Sequence, residues 1–114
     1  MFMLDDVEEI RRKLVVFRDR RNWKQFHDPK NLAEAISIEA SELLEIFLWK
    51  TIDESRNLSE NEIEYVKNEV ADIFIYLIYI CQELDIDLLV STEQKIILNK
   101  EKYPVREAKG PNKS

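Results

Sequence analysis

Hydrophobic residues recur at steps of three and four positions through most of this chain, which is the periodicity of one buried helix face. Residues that commonly cap helices mark where these helical segments begin. Asp5 with Glu8 and Ser59 with Glu62 have capping-box spacing, and Asp28 precedes a proline suited to a first helical turn. We therefore predict four helices, joined by loops at 21–28 and 51–58; they cover about 5–20, 29–50, 59–84, and from Asp85 or Asp87 to about Lys102.

The segment from Ile73 to Ile80 is apolar on almost every position and is rich in β-branched and aromatic residues, as a buried strand would be. We reject the strand because a strongly helical segment, Glu62 to Asp72, runs into it without a break. A helix that is apolar nearly all round needs cover on every side. We expect a second copy of the chain to supply part of that cover.

Composition agrees with a single all-α domain. The chain has 114 residues, is 45% hydrophobic, and contains one Gly and three Pro, so long segments carry no helix breaker. We place the domain at 1–104 and expect the polar tail at 105–114 to be flexible. The net charge of −6 argues against binding to a nucleic-acid backbone, since such proteins present a basic field.

The compartment is predicted from cysteine usage and from the apolar runs. Cys81 is the single cysteine and has no partner for an intrachain disulfide, which is typical of a reducing compartment. The start of the chain lacks the pattern of a signal peptide, and the longest apolar run falls short of the about 20 residues that a membrane span requires. We expect a cytoplasmic protein with no membrane partner.

Two acidic pairs lie inside the helical stretches: Glu39 with Glu42, and Glu69 with Asp72. A three-residue step stays on one side of a helix, so each pair shares its face with apolar neighbours. These neighbours are Leu32, Ala35, Ile36, Leu43 and Ile46 for the first pair, and Val66, Ile73, Leu77 and Ile80 for the second. We expect the four acids to point toward a shared interior.

Carboxylates held close together repel each other, by about 4 kcal/mol for unit charges about 4 Å apart at an effective dielectric near 20. Either protons or cations must relieve this repulsion. A ligand set made only of oxygen suits Mg²⁺, with Mn²⁺ as a substitute, better than a structural zinc ion. The alternative on pattern alone is that the acids lie at helix edges and pair with Lys or Arg.

The acidic pairs belong to longer sequence blocks. These read Trp23-Lys24-Gln25-Phe26-His27-x-Pro29-x-Asn31-Leu32, then Glu39-x-x-Glu42-Leu43-x-Glu45-x-Phe47-x-Trp49-Lys50, then Glu69-x-x-Asp72-Ile73-x-Ile75-Tyr76-Leu77, and finally Lys95-x-x-x-Asn99-x-x-x-Tyr103-Pro104. In this order they resemble the MazG-like all-α nucleoside triphosphate pyrophosphohydrolases, and within them the dCTP pyrophosphatase branch. The resemblance implies a four-helix-bundle-like MazG fold whose helices pack across an oligomer interface, as a homodimer or a dimer-of-dimers tetramer.

The resemblance also implies an activity. The family hydrolyses a nucleoside triphosphate to the monophosphate and pyrophosphate, and the branch favours a dCTP-like substrate in the control of nucleotide pools. Its two acidic pairs bind Mg²⁺, which assigns that role here to Glu39, Glu42, Glu69 and Asp72. A carboxylate can also accept a proton from the attacking water, and we expect Glu39 or Glu42 to do so.

Substrate contacts are implied for residues outside the acidic pairs. Lys95, Asn99 and Lys102 fall on one side of the last predicted helix, and the family pattern makes Lys95, Asn99 and Tyr103 phosphate or sugar contacts, with a weaker claim for Lys102. The family pattern assigns the base pocket to the aromatic and imidazole residues Trp23, Trp49 and His27, and Tyr76 lies where it would border the sugar. Core packing is the ordinary alternative for the aromatic residues, and placement near a helix C-terminus is the alternative for the lysines.

Two other functions stay open on the sequence. The same machinery would serve another nucleotide, such as dUTP or phosphoribosyl-ATP. A non-catalytic helical association module, with its acids at a surface or an interface, would also fit the helical pattern.

Overall fold

The structure is a computed structural model that describes residues 4–105, and within that range it contains α-helices, one 3-10 helix and no strand. The elements are α1 (Leu4–Arg20), the 3-10 helix (Lys24–Phe26), α2 (Pro29–Phe47), α3 (Ile52–Ser55), α4 (Glu60–Leu84) and α5 (Leu88–Lys102). The all-α prediction is confirmed, and residues 73–80 are helical. Apart from Val105, the tail predicted to be flexible lies outside the described residues.

Local capping sets several helix ends as the sequence predicts. The side chain of Asp28 accepts a hydrogen bond from the backbone N–H of Asn31 at the start of α2. Ser59 and Glu62 form a reciprocal capping box at the start of α4. Asp87, rather than Asp85, caps α5, because Asp85 ends α4 in a left-handed conformation with φ 55°.

Other predicted boundaries are wrong. Helix α1 already includes Leu4, so Asp5 lies within the helix rather than before it, and the carboxylate of Glu8 accepts hydrogen bonds from Arg11. Helix α2 ends at Phe47, three residues before the predicted end. The predicted loop at 51–58 contains α3, which is held by a capping box of its own between Thr51 and Glu54.

Helices α2 and α4 form the main packed pair and run antiparallel. The segment just after α2 contacts the start of α4, where the ammonium group of Lys50 pairs with the carboxylate of Glu62. Before the start of α2, the ring of His27 lies against the ring of Tyr79 near the end of α4, with centroids 4.5 Å apart. Residues midway along both helices, including the acidic pairs, therefore face each other.

Helix α1 crosses the second half of α4. The hydroxyl of Tyr79 donates a hydrogen bond to the backbone carbonyl of Leu14, at 2.9 Å, and Arg18 forms an ion pair with Glu83. The best-covered side chains lie at this crossing and in the adjoining start of α2: Arg18, His27, Leu32, Ile78 and Tyr79. The core of one chain therefore sits at this end of the α2–α4 pair.

A single chain leaves much of its apolar surface uncovered. Among the described residues, Leu32, Ile78 and Tyr79 are the buried hydrophobic ones, whereas many others on every long helix are exposed. The Cα radius of gyration is 17.8 Å, while a compact domain of this length has about 13 Å. No helix in the described range is long and apolar enough to cross a membrane.

Candidate functional site

Three acidic side chains from two helices meet midway along the α2–α4 pair. Glu39 of α2 and Glu69 and Asp72 of α4 each offer a carboxylate oxygen, and these oxygens lie within 4.8 Å of one another. The antiparallel packing brings them together because positions three apart on α4 share the side that faces α2. We call Glu39, Glu69 and Asp72 the acidic cluster.

Glu42 lies beside the acidic cluster but is not one of the residues whose oxygens all lie within 4.8 Å of one another. Its pKa is raised, first by the charge of Glu69 and then by burial, so its carboxylate is close enough to feel the cluster. Asp72 converges with Glu39 and Glu69 as expected, and Glu42 interacts with the same carboxylates. Glu42 and Asp72 are nevertheless exposed in the single chain, so residues 4–105 of one copy do not enclose the interior that the four acids were expected to share.

Mutual repulsion changes the acidity of the acidic cluster. A hydrogen bond with Glu69 is the largest cause that raises the pKa of Glu39 to about 7; burial and the charges of Glu42, Glu69 and Asp72 raise it further. A carboxyl group whose ordinary pKa is 4.5 is thus half protonated near neutral pH when no cation is bound.

Positive groups do not relieve this repulsion within the described chain. Within residues 4–105, no ion pair involves Glu39, Glu42, Glu69 or Asp72, so the described residues give no support to the alternative that these acids pair with Lys or Arg. The Oε2 atom of Glu69 is buried and has no hydrogen-bond partner in that range. A buried, unpartnered carboxylate oxygen beside two further carboxylates has the donor chemistry that a hard divalent cation requires.

Tyr76 adjoins the acidic cluster, as predicted. It is half-buried on α4, one turn beyond Asp72, and burial is the largest cause that raises the pKa of its hydroxyl, followed by the charges of Glu39 and Asp72. The phenol therefore lies within electrostatic reach of the cluster and can border a ligand bound there.

Trp49 stands in solvent just past the end of α2, with 90% of its surface exposed. It lines a surface cavity of about 530 Å³ together with Glu45, Lys50 and residues of α3. Glu45 connects this cavity to the acids, because its charge is one of the causes that raise the pKa of Glu42. Within residues 4–105 Trp49 is therefore not packed in the core of the chain.

Trp23 lies at the other end of α2 from Trp49. Its ring packs edge-on against Phe17 of α1, with centroids 5.5 Å apart, and the guanidinium of Arg21 lies over both rings. Trp23 is 43% exposed, so part of the residue remains open to solvent.

His27 differs from the other predicted pocket residues because it is buried in the core against Tyr79. Burial is the largest cause that lowers its pKa, followed by the charge of Arg18. Its Nδ1 atom is buried without a hydrogen-bond partner in the described range. The groups that shift its pKa are Arg18 and Glu83 rather than the acidic cluster.

The predicted contacts on the last helix are exposed and stand apart from the acids in one chain. Lys95, Asn99 and Lys102 follow the second half of α5, and the backbone N–H of Tyr103 donates to the carbonyl of Asn99. The ammonium group of Lys102 lies 5.3 Å from the centre of the Tyr103 ring. None of the four is among the groups that shift the pKa of Glu39 or Glu42.

Sequence reasoning missed two charged contacts that shape this region. Lys50 pairs with Glu62 and ties the segment after α2 to the start of α4. The carboxylate of Glu83 in α4 forms ion pairs with both Arg18 and Lys24. A signal was present for Glu62, which already stands in a capping box, but no spacing rule connects Glu83 with residues about 60 positions earlier.

Known proteins resemble this chain in sequence and in fold. The profile of the family described as MazG-like matches residues 35–114, which is well over half of the chain. The chain belongs to the MazG-like family. A crystal structure of a pyrophosphatase from Archaeoglobus fulgidus superposes on this MazG-like chain with a TM-score of 0.84 at 40% identity, covering 91% of this chain and 97% of that one.

Curated relatives confirm the resemblance to the dCTP pyrophosphatase branch. The protein named dCTP pyrophosphatase 1 of Homo sapiens is 34% identical over 109 residues, which are 94% of this chain and 64% of that protein. The protein of the same name from Bos taurus is 36% identical over 106 residues, or 91% of this chain and 63% of that protein. The MazG-like chain thus spans less than two thirds of the length of these relatives.

Proposed function

We propose that this MazG-like chain hydrolyses a nucleoside triphosphate to the monophosphate and pyrophosphate, with a dCTP-like deoxynucleotide as the favoured substrate and the control of nucleotide pools as its role. The observation that carries the proposal is the acidic cluster of Glu39, Glu69 and Asp72, with its unpartnered buried oxygen on Glu69. The pyrophosphatase fold match and the names of the relatives support the same activity.

Glu39, Glu42, Glu69 and Asp72 are the residues that would hold Mg²⁺, with Mn²⁺ as a substitute. When bound, the metal would neutralise charge on the phosphate oxygens and lower the pKa of a coordinated water. The carboxylates would contribute by fixing where the ion lies between α2 and α4. Glu39 or Glu42 accepts the proton of that water; Glu42 is favoured because it lies outside the acidic cluster and is less committed to ligation.

The aromatic and polar residues around the acids recognise the nucleotide. Trp49, which is 90% exposed, offers its indole for stacking on a base. Trp23, at the other end of α2, is kept as a base contact on the family pattern, and Tyr76 borders the sugar beside the acidic cluster. We keep Lys95, Asn99, Lys102 and Tyr103 as phosphate and sugar contacts, supplied from α5 of another copy, because α5 makes little contact with α2 or α4 of its own chain within the described residues. His27 supports the pocket from the core rather than touching the base.

A homodimer, or a tetramer made of two dimers, is part of this proposal. It is supported by the exposed apolar side chains on α2, α4 and α5, among them Ile38, Leu44, Val70 and Ile97. Sedimentation equilibrium tests it, since a mass of 13.6 kDa is that of a single chain. We also propose a cytoplasmic site of action, which the lone cysteine supports.

Purified protein incubated with Mg²⁺ and a panel of triphosphates tests the activity and the base preference together. We expect pyrophosphate release, with dCTP or a modified dCTP ranking first. A ranking headed by dUTP, or cleavage of phosphoribosyl-ATP alone, would move the proposal to the other nucleotide substrates. Absence of turnover across the panel would favour the helical association module and contradict the enzymatic proposal.

A further inference from the structure

Backbone hydrogen bonds fix the conformation of the turn after α1, which contains Trp23. The backbone N–H of Trp23 donates to the carbonyl of Arg18 at 3.1 Å, and the N–H of Asn22 donates to the carbonyl of Asp19 at 3.1 Å. Asn22 has a φ of 56°, in the left-handed region that Asn tolerates better than most residues. Together these bonds form a Schellman motif, and the contact of Trp23 with Phe17 is the apolar contact that accompanies it.

One carboxylate on another helix fixes this turn to the body of the chain. The Oε2 atom of Glu83, near the end of α4, lies 3.1 Å from Nη1 of Arg18 and 3.4 Å from Nζ of Lys24. Arg18 supplies the carbonyl that binds the N–H of Trp23, and Lys24 follows Trp23 directly. Glu83 therefore holds the chain on both sides of the tryptophan.

The two contacts of Glu83 differ in strength because they differ in burial. The side chain of Arg18 is 4% exposed and that of Glu83 is 17% exposed, so their attraction is weakly screened by water. The side chain of Lys24 is 63% exposed, and its pairing is screened. The guanidinium of Arg18 also lies 6.0 Å from the centre of the Tyr79 ring, and its Nε donates to the carboxylate of Asp19 at 3.1 Å. The side chain of Asp19 is 53% exposed, so Glu83 is the better-shielded of the two carboxylate partners.

We propose that Glu83 is a positioning residue for nucleotide recognition: through Arg18 and Lys24 it fixes the turn that orients the Trp23 ring. The inference rests on the proposed function in that Trp23 contacts the base. It assigns a task to a half-buried charged group that the hydrolytic chemistry does not use. Loss of Glu83 should weaken substrate binding, while the rate of the chemical step is preserved.

The kinetic test compares three variants. Glu83→Gln keeps a hydrogen-bond acceptor for Arg18 but removes the charge, and we expect about a tenfold rise in KM, equal to ~1.4 kcal/mol, with kcat within about twofold of wild type. Lys24→Met removes only the exposed contact and should raise KM about twofold. The double variant should resemble Glu83→Gln alone, because both cations use the same oxygen atom.

A spectroscopic test does not depend on turnover. In a Trp49→Phe background Trp23 is the single tryptophan, and Glu83→Gln should shift its emission to longer wavelength and lower its anisotropy. Glu64→Gln, which breaks the exposed pair between Glu64 and Lys67 on α4, is the matched control and should change neither signal nor KM.

The outcomes separate this inference from the proposed function. Unchanged KM and unchanged Trp23 emission in both Glu83→Gln and Lys24→Met would overturn the positioning role. If Glu83→Gln does not fold, Lys24→Met still tests the positioning role, because it leaves the ion pair between Arg18 and Glu83 intact. If wild type releases no pyrophosphate while Trp23 emission responds as expected, the proposed function fails but the control of the Trp23 turn by Glu83 stands.

Discussion

The carboxylates of Glu39 in α2 and Glu69 in α4 face each other across the packed helix pair, with their oxygens within 4.8 Å. Sharing a proton with Glu69 is the largest cause that raises the pKa of Glu39 to about 7. Protons and cations therefore compete for one site, since either relieves the same repulsion. This competition gives the site measurable properties even before catalysis is considered.

Without metal, Glu39 should destabilise the fold as pH rises. Its folded-state pKa of about 7 lies above the ordinary 4.5, so the protonated carboxyl stabilises the fold below about pH 4.5, and that contribution is lost as pH rises through 7. His27 acts in the opposite sense, because its lowered pKa favours the neutral ring above 6.5. We therefore compare Tm of wild type and Glu39→Gln in EDTA from pH 5 to 8, so that the His27 contribution cancels.

We expect wild type to lose stability relative to Glu39→Gln across that range, with the gap widest at pH 8. Curves that stay parallel from pH 5 to 8 would show that the raised pKa of Glu39 has no thermodynamic consequence. A wild type that gains on the variant would reverse the sign and contradict the proximity of the two carboxylates.

Mg²⁺ should stabilise wild type at pH 8 by mass action, by about 2.7 kcal/mol at a concentration 100 times its Kd. Glu69→Gln should lose this stabilisation, because it removes the charge of a carboxylate with a buried, unpartnered oxygen. Glu42→Gln should keep more of it, since Glu42 lies outside the acidic cluster. Glu64→Gln on the exposed side of α4 serves as the control. Equal stabilisation of wild type and Glu69→Gln would remove Glu69 from the metal site.

Turnover should fall at least about a hundredfold when any of the four acids is neutralised, equal to ~2.7 kcal/mol of barrier. The variants are Glu39→Gln, Glu42→Gln, Glu69→Gln and Asp72→Asn, with helix content checked by circular dichroism. If Glu42 accepts the proton of the attacking water, Glu42→Gln should lose turnover while it still binds the metal. Unaltered turnover in any variant would exclude that residue from the reaction.

Trp49→Ala should raise KM without lowering stability. The indole is 90% exposed, so its removal leaves no cavity in the chain. Stacking on a base is worth about 1–3 kcal/mol, which predicts at least a fivefold increase in KM, and Trp49→Phe should recover most of it. Thermal shift and steady-state kinetics measure the two effects separately. A large loss of Tm with unchanged KM would assign Trp49 to a subunit interface.

The helical fold was predictable because its signals are local. Ser59 with Glu62, and Asp28 before Pro29, act within a few residues, and they cap α4 and α2 as predicted. The same capping pattern stands at Thr51 and Glu54, where the prediction was a loop, because a helix of one turn leaves no apolar periodicity to detect.

The acidic cluster was predictable in part. Spacing within α2 and α4 places each acid on a helix side, but only packing decides that Glu39 and Glu69 meet while Glu42 stands aside. The burial of His27 beside Tyr79 could not be predicted from the sequence, because it depends on where the chain before α2 contacts the end of α4. The same holds for Glu83, whose partners come from the other end of the chain.

Phosphorus NMR of dCTP hydrolysis, with Mg²⁺ and then with excess EDTA, tests the central claim most directly. We expect dCMP and pyrophosphate to appear together as the first products with Mg²⁺, at a rate that EDTA and Glu39→Gln abolish. Release of orthophosphate as the first product, or a rate that is indifferent to both EDTA and Glu39→Gln, would contradict metal-dependent pyrophosphohydrolysis at the acidic cluster.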